Sequence, residues 1–385
     1  MKIIFLSHPG FLASKSMPRY ANWLYNGMKE RGHEVELWTA EAKFYKLPVP
    51  GSIKKWLGYI DQYVVFYNQI KNRIKREDNN VLYVFTDHAL GPWVPAVKER
   101  RHVIHCHDFL AQKSALGEIK QNVTSYTGIL YQKFIRSGYK QGKNFISISK
   151  KTQSDLHSFL EKEPQLSKVV YNGLNQDYKP LDKEKCKKNI SGVTGLDLNN
   201  GYLLHVGGNQ WYKNRIGVIK IFNAYCILQP ESLQPLLMIG APPAASLLKE
   251  YENSPFKERI HFICDAPDDV VKQAYSGATA FLFPSIAEGF GWPIAEAMAS
   301  GCLVLTTSEQ PMSEVAGNAA ILAAPYPEIE SQQLEWAKQS AGQLIQVLAD
   351  EHLVQDYLNN GIENAKRFEP NRILDEMEEI YKLIK

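Results

Sequence analysis

The chain has 385 residues, of which 44% are hydrophobic and 22% charged, and its formal net charge at pH 7 is +3. These values are typical of a globular protein with room for two domains, each with its own hydrophobic core. The net charge is too small to argue for nucleic acid, so we expect no nucleic-acid partner, and no stretch approaches the roughly 20 apolar residues of a membrane-spanning helix.

The cysteines and the N-terminus indicate the compartment. Five cysteines are spread through the chain without a Cys-x-x-Cys pair, mostly in or beside apolar segments. They predict buried free thiols in a reducing compartment and no structural zinc. The apolar run at residues 3–6 is too short for a secretion signal and ends at His8-Pro9-Gly10, so we interpret it as a first β-strand. We therefore expect a cytoplasmic protein.

The first half of the chain alternates short apolar runs with helical patterns. Residues 2–7 are predicted as a strand, and residues 18–31 as a helix that ends at Gly32, a residue type common just past helix C-termini. Residues 34–39 then form a second strand, which gives the β-α-β opening of a doubly wound parallel sheet. Further strands of this half are predicted at 81–85, 103–107, 145–149 and 168–171.

A second series of strand and helix patterns begins after a polar, lysine-rich stretch that follows Asn172-Gly173. It predicts a second doubly wound α/β domain. A helix is predicted at 217–229, and the last segments, to about 365 and then 371–384, are also predicted to be helical. The predicted strands are 202–206, 236–239, 259–263, 280–283 and 303–306.

The most informative stretch runs from Glu288 to Glu296 and reads EGFGWPIAE. It follows a predicted strand, is glycine-rich up to Gly291, and has Pro293 where a helix would have its first turn. A strand, a glycine-rich loop and a helix in this order place backbone N–H groups and a helix N-terminus at an anion. A carboxylate on each side can accept hydrogen bonds from sugar hydroxyl groups. The loop therefore suits a nucleotide that carries a sugar.

This motif, PS-x-x-EGFG-x-P-x-x-EAMA-x-G, resembles the donor-binding signature of retaining glycosyltransferases of the GT-B fold, specifically the GT4 family. The sequence RGHEV at 31–35 is also similar to the opening of that family. The resemblance implies two Rossmann-like α/β domains facing across a cleft. We place an N-terminal acceptor domain at 1–172, a nucleotide-sugar donor domain at 173–368, and a C-terminal helix that packs back on the first domain at 369–385.

The resemblance assigns the phosphate cation to Lys213. Lys213-Asn214 matches the end of the family's G-R-x-x-x-x-K-N segment, whose arginine and lysine hold the diphosphate. Gly208 stands where the family has its arginine, so one cation is missing; Arg215, although off-register, is a candidate replacement. The alternative for Lys213 is a solvated loop lysine. The same loop supplies further predicted donor contacts, namely Gly207, Gly208, Asn209 and Asn214.

The two glutamates have different roles in the family. The first, here Glu288, approaches the donor sugar, and the second, Glu296, binds the ribose hydroxyls; the alternative for Glu296 is a carboxylate that only caps or solvates its helix. Backbone N–H groups of the intervening loop are expected to reach the sugar or the phosphate, because glycine lets a ligand come close. The residues of this loop are Gly289, Phe290 and Gly291.

His107 completes the predicted catalytic set with Lys213 and Glu288. His107-Asp108 resembles the family's His-Asp pair after a strand, where the histidine faces the donor sugar. A metal pair with His105, on the same strand face, and a purely structural histidine are the alternatives. A third ligand at suitable spacing and an Asp-x-Asp sequence are both absent, so we expect neither a divalent metal requirement nor another cofactor.

The loop at residues 8–19 corresponds to the family's glycine-rich acceptor and phosphate loop. The usual Gly-Gly is absent and only Gly10 remains, which we retain as a predicted ligand contact. Ser16 and Arg19 are further candidate acceptor contacts.

A basic and aromatic region follows between residues 54 and 76. Trp56 and several tyrosines lie among lysines and arginines in a helical pattern. Such a surface suits an anionic membrane that carries a lipid-linked acceptor, although an ordinary helix with a charged end is the alternative. Peripheral contact with the inner face of the membrane is therefore a possible addition to a cytoplasmic location.

Together these features predict a retaining, metal-independent glycosyltransferase. It would move a hexose of the mannose, glucose or N-acetylhexosamine type from a nucleotide-diphospho-sugar to a saccharide or lipid-linked acceptor in cell-surface polysaccharide or glycolipid synthesis. The resemblance implies a front-face mechanism in which the leaving phosphate takes the acceptor proton. A nucleotide-sugar epimerase of the same architecture and a catalytically inactive glycosyltransferase-like binding protein are the alternatives. A dehydrogenase is disfavoured, since no G-x-G-x-x-G follows the first strand.

Overall fold

The computed structural model of the chain describes residues 1–12, 16–174 and 177–385. Residues 13–15, in the middle of the predicted acceptor loop, and residues 175–176 lie outside this description. The chain divides into two compact units. The first unit combines Met1–Asn175 with Pro370–Lys385, and the second is Gln176–Glu369.

The first unit is built on a six-stranded parallel sheet with the strand order β2-β1-β3-β4-β5-β6. The inner strands are apolar runs buried on both faces, as expected where helices cover both sides of a parallel sheet. Every strand predicted in this half is present, with ends that differ by at most one or two residues. The strands are β1 (Lys2–Leu6), β2 (Glu34–Trp38), β3 (Leu82–Phe85), β4 (His102–Cys106), β5 (Asn144–Ser147) and β6 (Leu166–Val169).

Helices connect these strands. A six-residue π-helical segment, Asp61–Phe66, joins two of them into one continuous element, and a series of tight turns spans His88–Ala96. Asp61 is buried and accepts hydrogen bonds from the backbone N–H groups of Lys43, Phe44 and Tyr45. The helices are α1 (Ser16–Glu30), α2 (Gly51–Ile60), α3 (Tyr67–Ile74), α4 (Leu110–Ala115), α5 (Tyr126–Tyr139) and α6 (Lys150–Phe159).

The second unit contains another six-stranded parallel sheet, with the order β12-β11-β10-β7-β8-β9. Its strands are β7 (Leu203–Val206), β8 (Leu236–Gly240), β9 (Ile260–Cys264), β10 (Ala280–Phe283), β11 (Val304–Thr307) and β12 (Ile321–Ala323). Its helices are α7 (Lys183–Thr194), α8 (Arg215–Leu228), α9 (Ala245–Glu252), α10 (Asp268–Gly277), α11 (Trp292–Ala299), α12 (Met312–Ala316), α13 (Glu330–Leu348) and α14 (Glu351–Ala365).

Several elements of the second unit were not predicted from the sequence, among them the strand β12 and the helix α7. The strand β12 has only three residues and lies at the sheet edge, so it leaves little hydrophobic signal. The helix α7 is rich in lysine and buries only Cys186 and Ile190, which is too little for a clear apolar stripe.

The C-terminal helix α15 (Pro370–Leu383) packs on the first unit. Its Leu374 and Met377 lie in the same hydrophobic cluster as Leu24 of α1. Gly27 of α1 permits this contact, because an added Cβ would lie 2.5 Å from a methyl carbon of Leu374. The predicted fold class is confirmed: two doubly wound parallel sheets, with the last helix returned to the first domain.

The cysteine prediction needs one correction. All five cysteines are free, but Cys264 is exposed because it ends β9, the edge strand of the second sheet.

Among the described residues, no helix combines the length and the apolar character needed to cross a bilayer.

Candidate functional site

The predicted donor residues of the second unit meet at the carboxyl end of its sheet. The strands β7 and β10 are hydrogen-bonded neighbours, so the loops that follow them lie side by side. The backbone N–H of Ile286 donates to the carbonyl oxygen of Tyr212 at 2.7 Å. The side-chain amide of Asn214 donates to the carbonyl oxygen of Pro284 at 2.9 Å. These two bonds hold the loops in register.

Asn214 has a positioning role in this arrangement. It adopts the left-handed conformation (φ 49°, ψ 45°), which asparagine tolerates better than most residues. Its Oδ1 accepts the backbone N–H of Gly217 at 3.1 Å and so caps helix α8. Asn214 thereby fixes the turn that presents Lys213.

Lys213 and Glu288 form an ion pair at the centre of the site. Lys213 Nζ lies 2.8 Å from Glu288 Oε1, and the two side chains are only 15% and 8% exposed. Ser285 Oγ donates to the same carboxylate oxygen at 2.8 Å. The ammonium also lies 5.1 Å from the ring centroid of Phe283, within range of a cation–π contact. The structure therefore joins two of the three predicted catalytic residues through side chains that are largely shielded from solvent.

The glycine-rich loop leads from Glu288 into helix α11. Its middle residue, Phe290, is buried and packs edge-on against the ring of Phe368, with 5.3 Å between centroids. Gly291 has φ +100°, a conformation that strongly favours glycine. The buried ring anchors the loop, and the glycine turns the backbone into the N-terminus of an eight-residue helix.

Glu296 lies in α11 beside a buried tyrosine. Tyr275 donates its hydroxyl hydrogen to Glu296 Oε2 at 3.1 Å. Burial, and then the negative charge of Glu296, raise the pKa of Tyr275 well above its ordinary value, so the phenol remains a donor. Tyr275 thus orients a carboxylate that retains accepting capacity for a ligand hydroxyl.

The loop after β7 lies against the end of β8. A Cβ on Gly207 would lie 2.8 Å from His205 Nε2, and a Cβ on Gly240 would lie 2.1 Å from the carbonyl oxygen of Gly207. At Gly208 the nearest atom to an added Cβ belongs to the flexible side chain of Gln210. Close packing therefore constrains Gly207 more than Gly208, where the family has its arginine.

Arg215 is tied to this loop. Its Nη1 donates to Asn209 Oδ1 at 2.6 Å and to the carbonyl oxygen of Ala241 at 2.9 Å. Arg215 is buried, and within the described residues its Nε and Nη2 have no hydrogen-bond partner. Burial lowers the pKa of its guanidinium. In this arrangement Arg215 holds Asn209 to the end of β8.

His107 belongs to the first unit, whereas Lys213 and Glu288 belong to the second. His107 Nε2 donates to the carbonyl oxygen of Thr86 at 2.8 Å, which leaves the lone pair on Nδ1. Burial lowers the pKa of His107, so the ring is neutral near pH 7. A neutral imidazole with a lone pair on Nδ1 can accept a hydrogen bond from a sugar hydroxyl.

A metal ion bound by His105 and His107 would have to replace hydrogen bonds that His105 already makes. Tyr20 and Tyr381 contact His105 Nδ1 and Nε2 at 2.8 and 2.9 Å, so both ring nitrogens are engaged. Over residues 1–12, 16–174 and 177–385, no group of three or more His, Cys, Asp or Glu side chains is arranged to hold a metal ion.

Gly10, also in the first unit, is exposed, and a Cβ there would meet no atom within 4 Å.

One polar pair at the carboxyl end of the first sheet was not predicted from the sequence. His8 follows β1 and Asp87 follows β3, and His8 Nε2 lies 2.9 Å from Asp87 Oδ2. The strands β1 and β3 are neighbours although about 80 residues separate them in the chain. A polar residue within two positions of the end of each of two predicted strands was the available signal, but it did not give the strand order.

Comparison with known proteins agrees with this arrangement. Residues 17–178 match the family model described as Glycosyltransferase Family 4, and residues 187–367 match Glycosyl transferases group 1. Over 188 residues, the chain is 27% identical to the "O-antigen chain mannosyltransferase B" of Escherichia coli. The matched segment makes up 48% of this chain and 46% of that protein. Over 198 residues, it is 25% identical to the "O-antigen chain mannosyltransferase RfbU" of Salmonella typhimurium, and this match covers 51% of each of the two chains. The chain thus spans about half the length of these curated relatives.

The fold also has solved counterparts. Anabaena HepE, solved in complex with UDP and glucose, has a TM-score of 0.72 and 16% sequence identity, over 100% of both chains. At this identity the likeness concerns the fold alone. The two family models together cover most of both units. On these matches and this fold, the chain belongs to the group 1 glycosyltransferases of family GT4, which have the GT-B architecture.

Proposed function

We propose that the chain is a retaining hexosyltransferase that uses a nucleotide-diphospho-sugar. Its acceptor is a saccharide or a lipid-linked saccharide in the synthesis of cell-surface polysaccharide or glycolipid. The observation that carries this proposal is the shielded Lys213–Glu288 pair beside the glycine-rich turn into α11. The names of the O-antigen mannosyltransferase relatives, and the UDP and glucose bound to HepE, support this substrate class.

Lys213 supplies the positive charge for the leaving group. In the free protein its ammonium is neutralised by Glu288 at 2.8 Å. A diphosphate oxygen that enters the site replaces this carboxylate as the partner of Nζ. As the bond between the anomeric carbon and the phosphate oxygen breaks, the negative charge on the phosphate grows. A cation already in place in a site of low dielectric stabilises that charge strongly.

The same exchange frees Glu288 for the sugar. Its carboxylate keeps the hydrogen bond from Ser285, which holds it in place, while Oε2 remains available for a hydroxyl of the hexose. The turn at Gly291 leads into the N-terminus of α11, where the helix dipole favours an anion. With a lysine and a helix N-terminus as the positive groups, we propose that the reaction requires no divalent metal.

Glu296 is assigned to the ribose. It lies on α11, in the first half of the helix, and the buried hydroxyl of Tyr275 orients it. Vicinal ribose hydroxyls can donate two hydrogen bonds to one carboxylate. Because the ribose belongs to the nucleotide and the hexose does not, the two glutamates contribute to different parts of donor binding.

We further propose that the first unit contacts an anionic membrane through what we call the aromatic groove. This groove has a volume of about 500 Å³ and lies between α2 with its π-helical extension and α5. Its exposed apolar side chains include Trp56, Val64 and Phe134, at 54%, 55% and 45% exposure. Lipid acyl chains and headgroups suit an apolar surface of this kind when it has a basic rim.

The charge around the aromatic groove favours an anionic partner. The only acidic residue between 51 and 76 is Asp61, which is buried and bonded to three backbone N–H groups. Lys55 lines the groove, its neighbour Lys54 also lies on α2, and Lys133 lies on α5. This excess of positive charge suits the inner leaflet of a bacterial or eukaryotic membrane, where anionic lipids are concentrated.

The proposed activity is tested by incubating the protein with UDP-, GDP- and ADP-hexoses and a saccharide acceptor. We expect nucleoside diphosphate release that depends on the acceptor, an α-linked product by NMR from an α-linked donor, and no effect of EDTA. Conversion of the sugar nucleotide to its epimer would indicate an epimerase. Donor binding without turnover would indicate an inactive binding protein. Loss of activity in EDTA, restored by magnesium or manganese, would contradict the metal-independent mechanism.

The Lys213→Met variant should lower turnover by on the order of 100-fold, because it removes the cation at the leaving phosphate. It should also lower the free energy of unfolding by about 3–5 kcal/mol, since Glu288 is left as an unpaired shielded charge. The double variant Lys213→Met/Glu288→Gln should regain stability but not turnover. Lys257→Met, which breaks an exposed pair with Glu252, is the control and should change neither quantity appreciably. Normal turnover in a folded Lys213→Met protein would reject the role of Lys213.

The two glutamates can be separated by calorimetry. Glu288→Gln should abolish sugar transfer while free nucleoside diphosphate still binds with nearly normal affinity. Glu296→Gln should weaken both the sugar nucleotide and the free nucleotide by about 10-fold, the scale of one hydrogen bond to a charged group. An equal loss of affinity for free nucleotide in both variants would show that the roles are not divided in this way.

Membrane contact is measured by sedimentation with vesicles that contain phosphatidylserine or phosphatidylglycerol. Wild-type protein should sediment with these vesicles and much less with neutral phosphatidylcholine. Lys54→Gln/Lys55→Gln should weaken binding roughly 30-fold, at about 1 kcal/mol for each lysine near the surface. Trp56→Glu should also weaken it, whereas Leu233→Glu, an exposed site in the second unit, is the control. Wild-type protein that stays in the supernatant would refute the contact.

A further inference from the structure

The aromatic groove of the first unit is a concave site with two walls. Side chains of α2 and of the π-helical segment form one wall, and side chains of α5 form the other. Its volume of about 500 Å³ lies within the range of roughly 300–1,000 Å³ that is usual for small-molecule sites. The groove is therefore large enough to hold part of a single ligand molecule, in addition to any flat contact with a membrane surface.

Aromatic contacts hold the two walls together. The ring of Tyr59 on α2 stacks on the ring of Tyr131 on α5, with 5.0 Å between centroids and 19° between planes. The ring of Phe134 on α5 lies edge-on to the ring of Tyr63, with 5.3 Å between centroids. Both are geometries that aromatic pairs prefer. The groove is thus already formed in the free protein and needs no ligand to open it.

The polar atoms of the two lining tyrosines are paired with each other. The hydroxyl groups of Tyr63 and Tyr131 lie 2.6 Å apart and form a hydrogen bond between the walls. Burial raises the pKa of Tyr63 above its ordinary range and that of Tyr131 to about 12, so both phenols are neutral near pH 7. Because each hydroxyl already has a hydrogen-bond partner, hydrocarbon can cover the pair without isolating a polar group.

The π-helical segment Asp61–Phe66 supplies part of the first wall. Tyr63 and Val64 both lie on it and line the groove. Trp93 Nε1 donates to the carbonyl oxygen of Gln62 at 2.9 Å, and Asp61 accepts three backbone N–H groups. These bonds hold the segment in an uncommon conformation. Single π-helical turns are rare and occur frequently at functional sites, which agrees with a groove that binds a ligand.

Positive charge lies in and beside the groove. Lys55, which lines it, has its Nζ 5.8 Å from the ring centroid of Tyr59, and Lys54 Nζ lies 4.9 Å from the ring centroid of Tyr45. Both distances are within the range of cation–π contacts. In the part of the chain that the structure describes, neither lysine has a carboxylate partner. An apolar interior with unneutralised ammonium groups beside it is complementary to a hydrocarbon chain that ends in an anion.

We propose that the aromatic groove binds the hydrocarbon chain of a lipid phosphate, which anchors the saccharide acceptor. This inference rests on the proposed function, which includes a lipid-linked acceptor. The chain lies between the walls of α2 and α5, and the phosphate is the partner of Lys55. A single slot between two helices suits one chain, whereas a bilayer phospholipid carries two. The groove therefore selects the anchor of the acceptor from the surrounding membrane lipids.

The experiment measures binding by calorimetry without membrane and without donor. The probes are octyl, decyl and dodecyl phosphate and farnesyl phosphate, all below their micelle concentrations. We expect one molecule to bind per protein. Affinity should rise about 4-fold for each added CH₂, the scale of burying one methylene, and should stop rising once the chain is longer than the groove. Inorganic phosphate alone should not bind measurably.

Two neighbouring positions on α5 give a matched pair of variants. Leu130 and Ile129 are 48% and 39% exposed, and of the two Leu130 lines the groove. Leu130→Glu should weaken dodecyl phosphate binding by on the order of 30-fold, because it removes apolar contact and repels the phosphate. Ile129→Glu should bind as wild type. Unchanged melting temperatures would show that both variants are folded.

Two further variants test the anion and the size of the groove. Lys55→Gln should weaken binding about 5-fold, the scale of one lysine at an anionic group, whereas Lys133→Gln, on α5, should not. Val64→Trp adds bulk at a half-exposed lining position without entering the core. It should shorten the chain length at which affinity stops rising.

Several outcomes would overturn this inference. Affinity that rises without limit, or that falls equally in Leu130→Glu and Ile129→Glu, would indicate non-specific partitioning. Tighter binding of dihexanoyl-phosphatidylglycerol than of dodecyl phosphate would assign the groove to bilayer lipid. A dimer that Leu130→Glu dissociates, with no lipid binding, would assign it to a second copy of the chain. Failure of the proposed function looks different, since no donor would then give acceptor-dependent nucleotide release, whatever the binding data show.

Discussion

The parallel direction of every strand in both sheets is the constraint on which the rest of this structure depends. In a parallel sheet all carboxyl ends lie at one edge, so the loops that follow neighbouring strands meet there whatever their distance in the chain. In the second unit this brings Lys213, after β7, to Glu288, after β10. In the first unit it brings His8, after β1, to Asp87, after β3.

Each of these sites contains charge that the surrounding protein would not tolerate alone. Glu288 is shielded from water, and Lys213 and the hydroxyl of Ser285 compensate it. Asp87 is compensated by the His8 ring and a backbone N–H. Each carboxylate thus has two compensating groups, which hold it in place. Under the proposed function, an anionic donor replaces Glu288 as the partner of Lys213.

The glycine at position 208 changes how the loop after β7 is built. Where the family has an arginine, this chain has Gly208, and Arg215 instead lies buried against Asn209 and the carbonyl oxygen of Ala241. The guanidinium therefore stabilises the loop through these two hydrogen bonds. Lys213 is left as the cation that faces Glu288.

Much of the fold follows from local patterns. Short buried runs such as Ala280–Phe283 predict strands, and glycine at 32 and 291 marks the ends of elements where the backbone has positive φ. The polar helix α7 and the three-residue strand β12 gave too little hydrophobic signal, because few of their side chains are buried. The exposure of Cys264 likewise depends on β9 being an edge strand, which no local pattern indicates.

The sequence by itself determined the fold class, the family and the residues of the glycine-rich donor loop, because each is written in contiguous residues and short spacings. Only the tertiary structure decided which side chains meet: Lys213 with Glu288, Tyr275 with Glu296, His8 with Asp87, and Arg215 with the loop rather than with open solvent. These pairs depend on strand order and on the burial that packing creates. Both are properties of contacts between segments far apart in the chain, and no spacing along the sequence specifies them.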